Sequence, residues 1–356
     1  MEFALDSDQT MMQESIDRTL ERVSPLEAVR KGANAFEALC ELGVPGILVP
    51  ESEGGLGLKL LDAALVAEQL GRHVARAPFV ASAVMAPLAL IGAGTGAQKK
   101  MWLPKLASGK TIAGVAVSEH ASGAREKALV TAKAGKLSGK SLFALDFGGA
   151  DIFIVADKFG DLHLVDAKAK GLEKTLLTTI DATRAIGELN FDNVEAEPLS
   201  GGNGPATLER MIDAGRITLA ADMLGAGERM LEKAVAYAKE RKQFGRLIGS
   251  FQAVKHMCAD MAAELEPCRA LVWYAAHAFD AMPDKSRLLA AQAKSHVGEV
   301  GQSVARTATE VHGGVGFTDL LGLHYWFKRI GFDRQILGSP ERARHDAAMA
   351  QGWVGN

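Results

Sequence analysis

Two switches of hydrophobic period constrain this chain more than any single motif. From Ser7 to about Lys110 apolar residues fall three or four apart, as on one face of a helix. Met12, Ile16, Leu20 and Val23 follow a Ser7-Asp8 cap, and further helices are expected over 35–42 and 60–72. After Thr111 the chain breaks into short β-favouring segments: Ala113 to Val117, Ala128 to Ala132, Lys140 to Leu145, Asp151 to Ala156, Leu162 to Val165 and Ala185 to Phe191. Glycines at 135, 139, 148, 149, 160 and 171 punctuate them, which suits a small β-barrel or sandwich better than βαβ units. Leu199 to Pro205 reads as an exit linker. From Thr207 the helical period returns: Leu208, Met211, Ile212, Leu219, Met223, Leu231 and Val235 share one stripe. Long helices with short connections imply a four-helix bundle. The expected architecture is α+β and multidomain, with a helical domain over 1–111, a β domain over 112–200 and a helical bundle over 201–356.

Composition narrows the function classes. A net charge of −3 on 356 residues predicts no broad attraction to nucleic acid or to an anionic membrane. Cys40, Cys258 and Cys268 are odd in number and widely spaced, which argues against disulfides or a zinc site and predicts buried thiols in a reducing compartment. The acidic start, MEFALDSDQ, has no basic region leading into an apolar one, and the most apolar stretch, Val80 to Gly94, is too short to span a bilayer. A cytoplasmic enzyme without a bound metal is expected. Patterns for zinc proteases, serine hydrolases and P-loop enzymes do not occur.

Three stretches then resemble the acyl-CoA dehydrogenase family. Tyr237 to Gly245 followed by Gly249 to His256 is similar to the family's helix ending in an R-x-x-F-G turn and restarting as F-Q-x-V-x-H. The resemblance implies that Arg241 and Gln243 reach across a subunit interface to the FAD of a neighbouring chain, with Phe244 packing beside them. A guanidinium suits a diphosphate bidentately, although a cation and a glycine stop also suit an ordinary helix end. Glu310-Val-His312-Gly313-Gly314-Val-Gly316-Phe317 resembles the family's Q-x-H/F-G-G-x-G-F, whose glycines let backbone approach the ADP part of the same FAD. Glu310 stands where Gln is usual, and a carboxylate accepts but cannot donate. Ala116-Val-Ser118-Glu119 resembles the strand whose hydroxyl touches the flavin, which makes Ser118 a contact and gives Glu119 a structural role. His120 then replaces a proline, and the phosphate loop shrinks to Ala121-Ser-Gly-Ala124. In the next strand Phe143 keeps a ring beside the flavin, whereas Leu145 replaces a hydrogen-bond donor.

The family's reaction is α,β-dehydrogenation of an acyl-CoA thioester, with electrons passed to an electron-transfer flavoprotein. Its base is a carboxylate, worth about 10²–10⁴-fold in rate. The resemblance places that base at Leu337, or at Gly215 before Arg216, and neither is acidic. Asp333 and Asp213 are the nearest substitutes, Glu119 is a third although its family role is structural, and His256 and His312 fall at structural or cofactor-adjacent positions. Two readings follow. One is a self-sufficient flavoenzyme with an unconventional base. The other is the smaller subunit of a heteromeric dehydrogenase, which completes the FAD site of a sister chain. Either requires a homodimer, homotetramer or heterotetramer, because the cofactor site is shared.

Overall fold

A computed structural model describes residues 4–123, 125 and 127–355. The N-terminal part contains α1 (Ser7–Val23), α2 (Leu26–Arg30), α3 (Phe36–Glu41), α4 (Leu60–Arg72), a π-helical turn over Val80–Met85 leading into α5 (Ala86–Ala93), and α6 (Gly96–Ala107). Asp6 caps α1 by accepting from the Gln9 amide at 2.8 Å. The apolar stretch after Val80 is thus a buried helix of the core.

The middle part contains β1 (Ala113–Ala116), α7 (Ser118–Ser122), β2 (Val130–Lys133), β3 (Lys136–Leu145), β4 (Ile152–Ala156), β5 (Leu162–Asp166), β6 (Leu172–Leu176), β7 (Ile186–Glu195) and β8 (Glu197–Pro198). The strands form one curled sheet in the order β6-β7-β3-β1-β4-β5-β8, with β2 on β3 and, among the described residues, only the β1–β4 pair parallel. Two expectations need correction. Ser118 opens a short helical turn and does not end a strand, because Glu119 reaches across to β3 (below). Gly139 does not close a strand either. It lies inside β3 at φ 118°, where a Cβ would come 2.0 Å from the Leu129 carbonyl, so the strand runs on through a close backbone approach. All five β4 residues are buried because both sheet faces are covered. Phe153 and Val155 point into the curl, and Ile152 and Ile154 face the helices.

The C-terminal part contains α8 (Gly204–Glu240), a hairpin of β9 (Lys242–Gln243) and β10 (Arg246–Leu247), α9 (Gln252–Ala281), α10 (Pro283–His312), α11 (Leu323–Gln335) and α12 (Pro340–Ala350). Asn203 caps α8, and its 37 residues span about 55 Å. Helix α4 packs on α8 at backbone contact: a Cβ on Gly71 or Gly225 would meet the Asp222 or Glu68 carbonyl at 1.9 Å. The N-terminal and C-terminal helices therefore share one core. Cys268 is buried, whereas Cys40 and Cys258 are half-buried and not the fully buried thiols expected. Among the described residues no helix is long and apolar enough to cross a membrane.

Candidate functional site

The two C-terminal loops singled out in the sequence lie at one end of the bundle. The Tyr237 ring, one turn before the end of α8, stacks on His312 at the end of α10, with centroids 4.6 Å apart. His312 is fixed by its own Nδ1–H donating to the Ala308 carbonyl at 2.7 Å, so it is occupied and buried. Arg241 ends α8 and is exposed, with no side-chain partner among the described residues. Beyond it, Phe244 and Gly245 make a two-residue turn with φ of 53° and 76° between paired Gln243 and Arg246. Phe244 is 91% exposed at the tip, while Arg246 lies 3.9 Å over the Phe251 ring and stiffens the base of the hairpin. Among the described residues the Gln243 side chain donates only to the carbonyl of its neighbour Lys242. Glu310, Gly313 and Gly314 are exposed beside this hairpin end, and a Cβ on either glycine would meet nothing within 4 Å. This end presents a free cation, open backbone and an uncovered aromatic.

The β-domain positions behave differently. A cavity of about 290 Å³ opens between the sheet and α11, lined by Ser118, Phe143, Ile186, Phe332, Ile336 and Leu337 among others. This is at the small end of the roughly 300–1,000 Å³ typical of small-molecule sites. The Ser118 hydroxyl donates to the Phe143 carbonyl at 3.1 Å. Both Glu119 oxygens are engaged, one accepting from the Ser141 hydroxyl at 2.8 Å and the other from the Leu142 amide at 2.6 Å. That carboxylate satisfies β3 where its register against β7 slips between Ser141 and Ala144, and it lets Phe143 adopt φ 55°. Leu145 is buried and apolar. Of the shortened phosphate loop, Ala121 to Gly123 are described and Ala124 lies outside the described residues.

The two positions where the resemblance puts a base come together. Leu337 is fully buried at φ 55°, and a Cβ on Gly215 would sit 2.5 Å from the Leu337 Cδ1 and 3.0 Å from the Met85 sulfur. Leucine in this region is strained by about 1–2 kcal/mol. Two buried cations hold it there: Arg216 Nε donates to the Leu337 carbonyl at 2.9 Å, and Lys294 Nζ donates to the Gly338 and Arg334 carbonyls at 2.9 and 2.8 Å. Burial, with Arg216 adding, pulls the Lys294 ammonium down to about 7. Sequence reasoning passed over Lys294, although Ala290, Lys294, Val297 and Gly301 follow one buried helical face and a lysine there is a recognisable signal.

The substitute carboxylates lie elsewhere. Asp333 is fully buried and gripped by Arg184 at 2.6 and 2.9 Å; Arg184 also meets Asp222 at 2.8 Å, which Arg329 holds at 2.8 and 2.6 Å. Burial pushes Asp333 up to about 7. Asp222 is buried too, yet the two arginines outweigh that and hold it below the usual range. Asp213 faces a second cavity of about 240 Å³ whose charged lining balances Arg216, Arg287 and Arg342 against Asp213, Glu209 and Asp346. Burial raises Asp213 to about 6. Neither Asp213 nor Asp333 lines the cavity that holds Leu337.

Residues 6–110 match the family model described as acyl-CoA dehydrogenase, N-terminal domain, and residues 202–351 match that of the C-terminal domain. Acyl-CoA dehydrogenase IpdE2 of Mycobacterium tuberculosis is 32% identical over 306 residues, covering 86% of this chain and 82% of that protein. The chain belongs to the acyl-CoA dehydrogenase family. Its relatives are oxidoreductases acting on CH–CH groups, and the observed order of helical, β and helical parts is theirs. Among solved structures, a chain of the ChsE4–ChsE5 complex from Mycobacterium tuberculosis superposes with a TM-score of 0.89 at 25% identity, covering 100% of both chains. A chain of the Tcur3481–Tcur3483 steroid ACAD superposes at 0.86 with 28% identity, covering 97% of this chain and 98% of that one.

The flavin expected for this family can be tested against the residues present. The hairpin and glycine turn fit it: a free guanidinium and open backbone suit a diphosphate-bearing tail. The chain's own β-domain half does not fit. The Ser118 proton and both Glu119 oxygens are already bonded internally, Leu145 stands where the resemblance puts a donor, and the positions where it puts a base are apolar.

Proposed function

We infer that this chain is the partner subunit of a heteromeric acyl-CoA dehydrogenase, lending Arg241 and the 313–316 turn to the flavin of a sister chain that carries the catalytic carboxylate. The observation that carries the reading is the contact of Leu337 with Gly215, which fills both family base positions with hydrocarbon. Proton abstraction from a thioester α-carbon needs a carboxylate within about 3 Å. Asp333 is locked to Arg184, and Asp213 opens into another cavity, which disfavours the self-sufficient enzyme. Two relatives in solved structures are named as two-component assemblies, which supports the same reading.

In the assembly this chain binds and orients. Arg241 would hold the diphosphate, the Gln243 amide would offer it a further donor, and Phe244 would pack against the sister chain. The flavin supplies the acceptor for hydride leaving the β-carbon, and its electrons pass on to an electron-transfer flavoprotein. Co-expression with a carboxylate-bearing sister chain tests the proposal. Arg241→Ala in this chain should weaken FAD in the purified complex by roughly 10–100-fold, the scale of a charge-assisted bond. Unchanged flavin affinity in that variant would refute it.

A further inference from the structure

The two loops offered to the flavin are rigid ends of two different helices. Arg241 continues α8: its amide donates to the Tyr237 carbonyl at 2.9 Å, and its carbonyl accepts from the Ile248 amide at 2.8 Å, which closes the hairpin. The 313–317 turn continues α10 and folds back on it, since a Cβ on Gly316 would lie 2.7 Å from the Thr309 carbonyl and 2.9 Å from the His312 Cβ. How α8 and α10 sit together at this end therefore fixes the distance from the guanidinium to the open backbone. His312 joins the two helices there. Its ring is buried and stacks on Tyr237 of α8. Two backbone carbonyls face the imidazole: Ala308 of α10, which accepts its Nδ1–H at 2.7 Å, and Lys233 of α8. A neutral imidazole carries one N–H, and Ala308 takes it, whereas an imidazolium carries two. The pattern this stretch resembles admits phenylalanine as well as histidine at the same position, so a ring alone satisfies the packing. What histidine adds is a donor.

We propose that His312 is a positioning residue for the flavin of the sister chain: protonated, it donates to α10 and α8 together and holds the glycine turn and Arg241 at the separation that grips the cofactor tail. The proposal rests on the partner-subunit reading and adds a response to pH at that same end of the bundle. The charge acting on the imidazole from the elements around it is Lys233 of α8, whose ammonium sits 4.7 Å over the Trp326 ring of α11. Tyr237 is the other titratable group against it, and Glu310 on its own helix is exposed. Burial outweighs the two carbonyls and, with Lys233, holds His312 below the ordinary histidine value of 6.5, so the second N–H arrives on the acid side of neutrality.

The FAD affinity of the purified complex, followed by flavin fluorescence from pH 8 to pH 5, tests this. A guanidinium and a diphosphate diester both keep their charge over that range. The unmodified complex should tighten about two- to tenfold as pH falls, the scale of one hydrogen bond. His312→Phe keeps the stacked ring and removes both donors, so it should match the unmodified complex at pH 8 and lose the tightening. Its far-ultraviolet dichroism should be unchanged, because the position accepts either ring. Tyr237→Ala should weaken FAD about two- to tenfold at every pH, and Tyr237→Phe should restore it. No tightening in the unmodified complex, equal tightening in His312→Phe, or full affinity in Tyr237→Ala overturns the proposal. Arg241→Ala, measured alongside at pH 8, separates the two readings. Unchanged affinity in that variant refutes the flavin contact itself, whereas weakened affinity with an unaltered pH response in His312→Phe refutes only the role of His312.

Discussion

Replacing Arg184 with Met should show that Asp333 is a structural charge and not a base held in reserve. The guanidinium makes two bonds to Asp333 and one to Asp222, and it ties the β domain to α8 and α11. Asp222 keeps both bonds from Arg329, so the variant strands one carboxylate, Asp333. Breaking one partner from a buried pair costs about 3–5 kcal/mol when the remaining charge stays ionised. Asp333 already sits at about 7 through burial, and losing Arg184 pushes it higher. Below that value the folded variant holds a neutral acid, whereas the unfolded chain ionises from about 4 upward. The folded state therefore binds one proton more than the unfolded state across this window, and its stability falls as pH rises. The unmodified chain itself keeps that proton up to about pH 7, so the cost of Arg184→Met should grow by only about 1 kcal/mol between pH 5.5 and pH 8. Urea unfolding followed by tryptophan fluorescence at the two pH values measures it. Adding Asp333→Asn should recover most of the loss at pH 8 and little at pH 5.5. A cost that does not rise between the two pH values would show that the network does not carry the charge in this way.

Two further perturbations follow from the helical core. Glu68 accepts from the Trp273 indole at 2.6 Å and from Gln13 at 3.2 Å, and burial, reinforced by Glu228, raises it to about 8. Its proton is kept in the folded chain and lost from the unfolded one between about pH 4.5 and 8, so Glu68→Gln should gain ~1–4 kcal/mol over the unmodified chain between pH 5 and pH 8. Parallel stability curves for the two would contradict this. Gly225→Val puts a side chain where even a Cβ lies 1.9 Å from the Glu68 carbonyl, forces α4 from α8, and should lower the calorimetric midpoint by at least about 4 °C. An unchanged midpoint would mean the two helices have slack that their backbone contact denies.

Much of this molecule is legible in one sequence because its large elements obey local rules. The stripe from Leu208 to Val235 specifies α8 without reference to anything else, and Phe244-Gly245 between short polar segments specifies a tight turn. Local patterns fail where the cause is remote. The helical turn at Ser118 depends on Glu119 bonding residues 22 and 23 positions later, which no window of neighbours reveals. β6 escapes notice because Leu172–Leu176 is an edge strand, mostly exposed and polar, without the alternation that burial imposes. The resemblance points to positions 337 and 215, yet the contact of Leu337 with Gly215 follows only from packing α8 against the turn after α11. Buried charge was the least visible feature: Arg184, Arg216 and Arg329 look like ordinary surface cations until the fold brings carbonyls and carboxylates to them, and only Lys294 is marked in advance by its apolar helix face.

Three bulky residues adopt left-handed backbone at the site positions: Phe143, Phe244 and Leu337. Such strain persists where surrounding bonds over-determine it. In this chain Glu119 imposes it at Phe143, the hairpin at Phe244, and Arg216 with Lys294 at Leu337. A scaffold with this geometry shapes a cavity around Leu337 without a carboxylate at position 337 or 215.

The sharpest test is a count of flavin per polypeptide in the purified heteromeric complex, from flavin absorbance after denaturation set against amino-acid analysis. If this chain gives to a cofactor site without holding one, the ratio is about one FAD per pair of chains, and the chain expressed alone is colourless. One FAD on every chain, or a yellow protein from this chain alone, would contradict it.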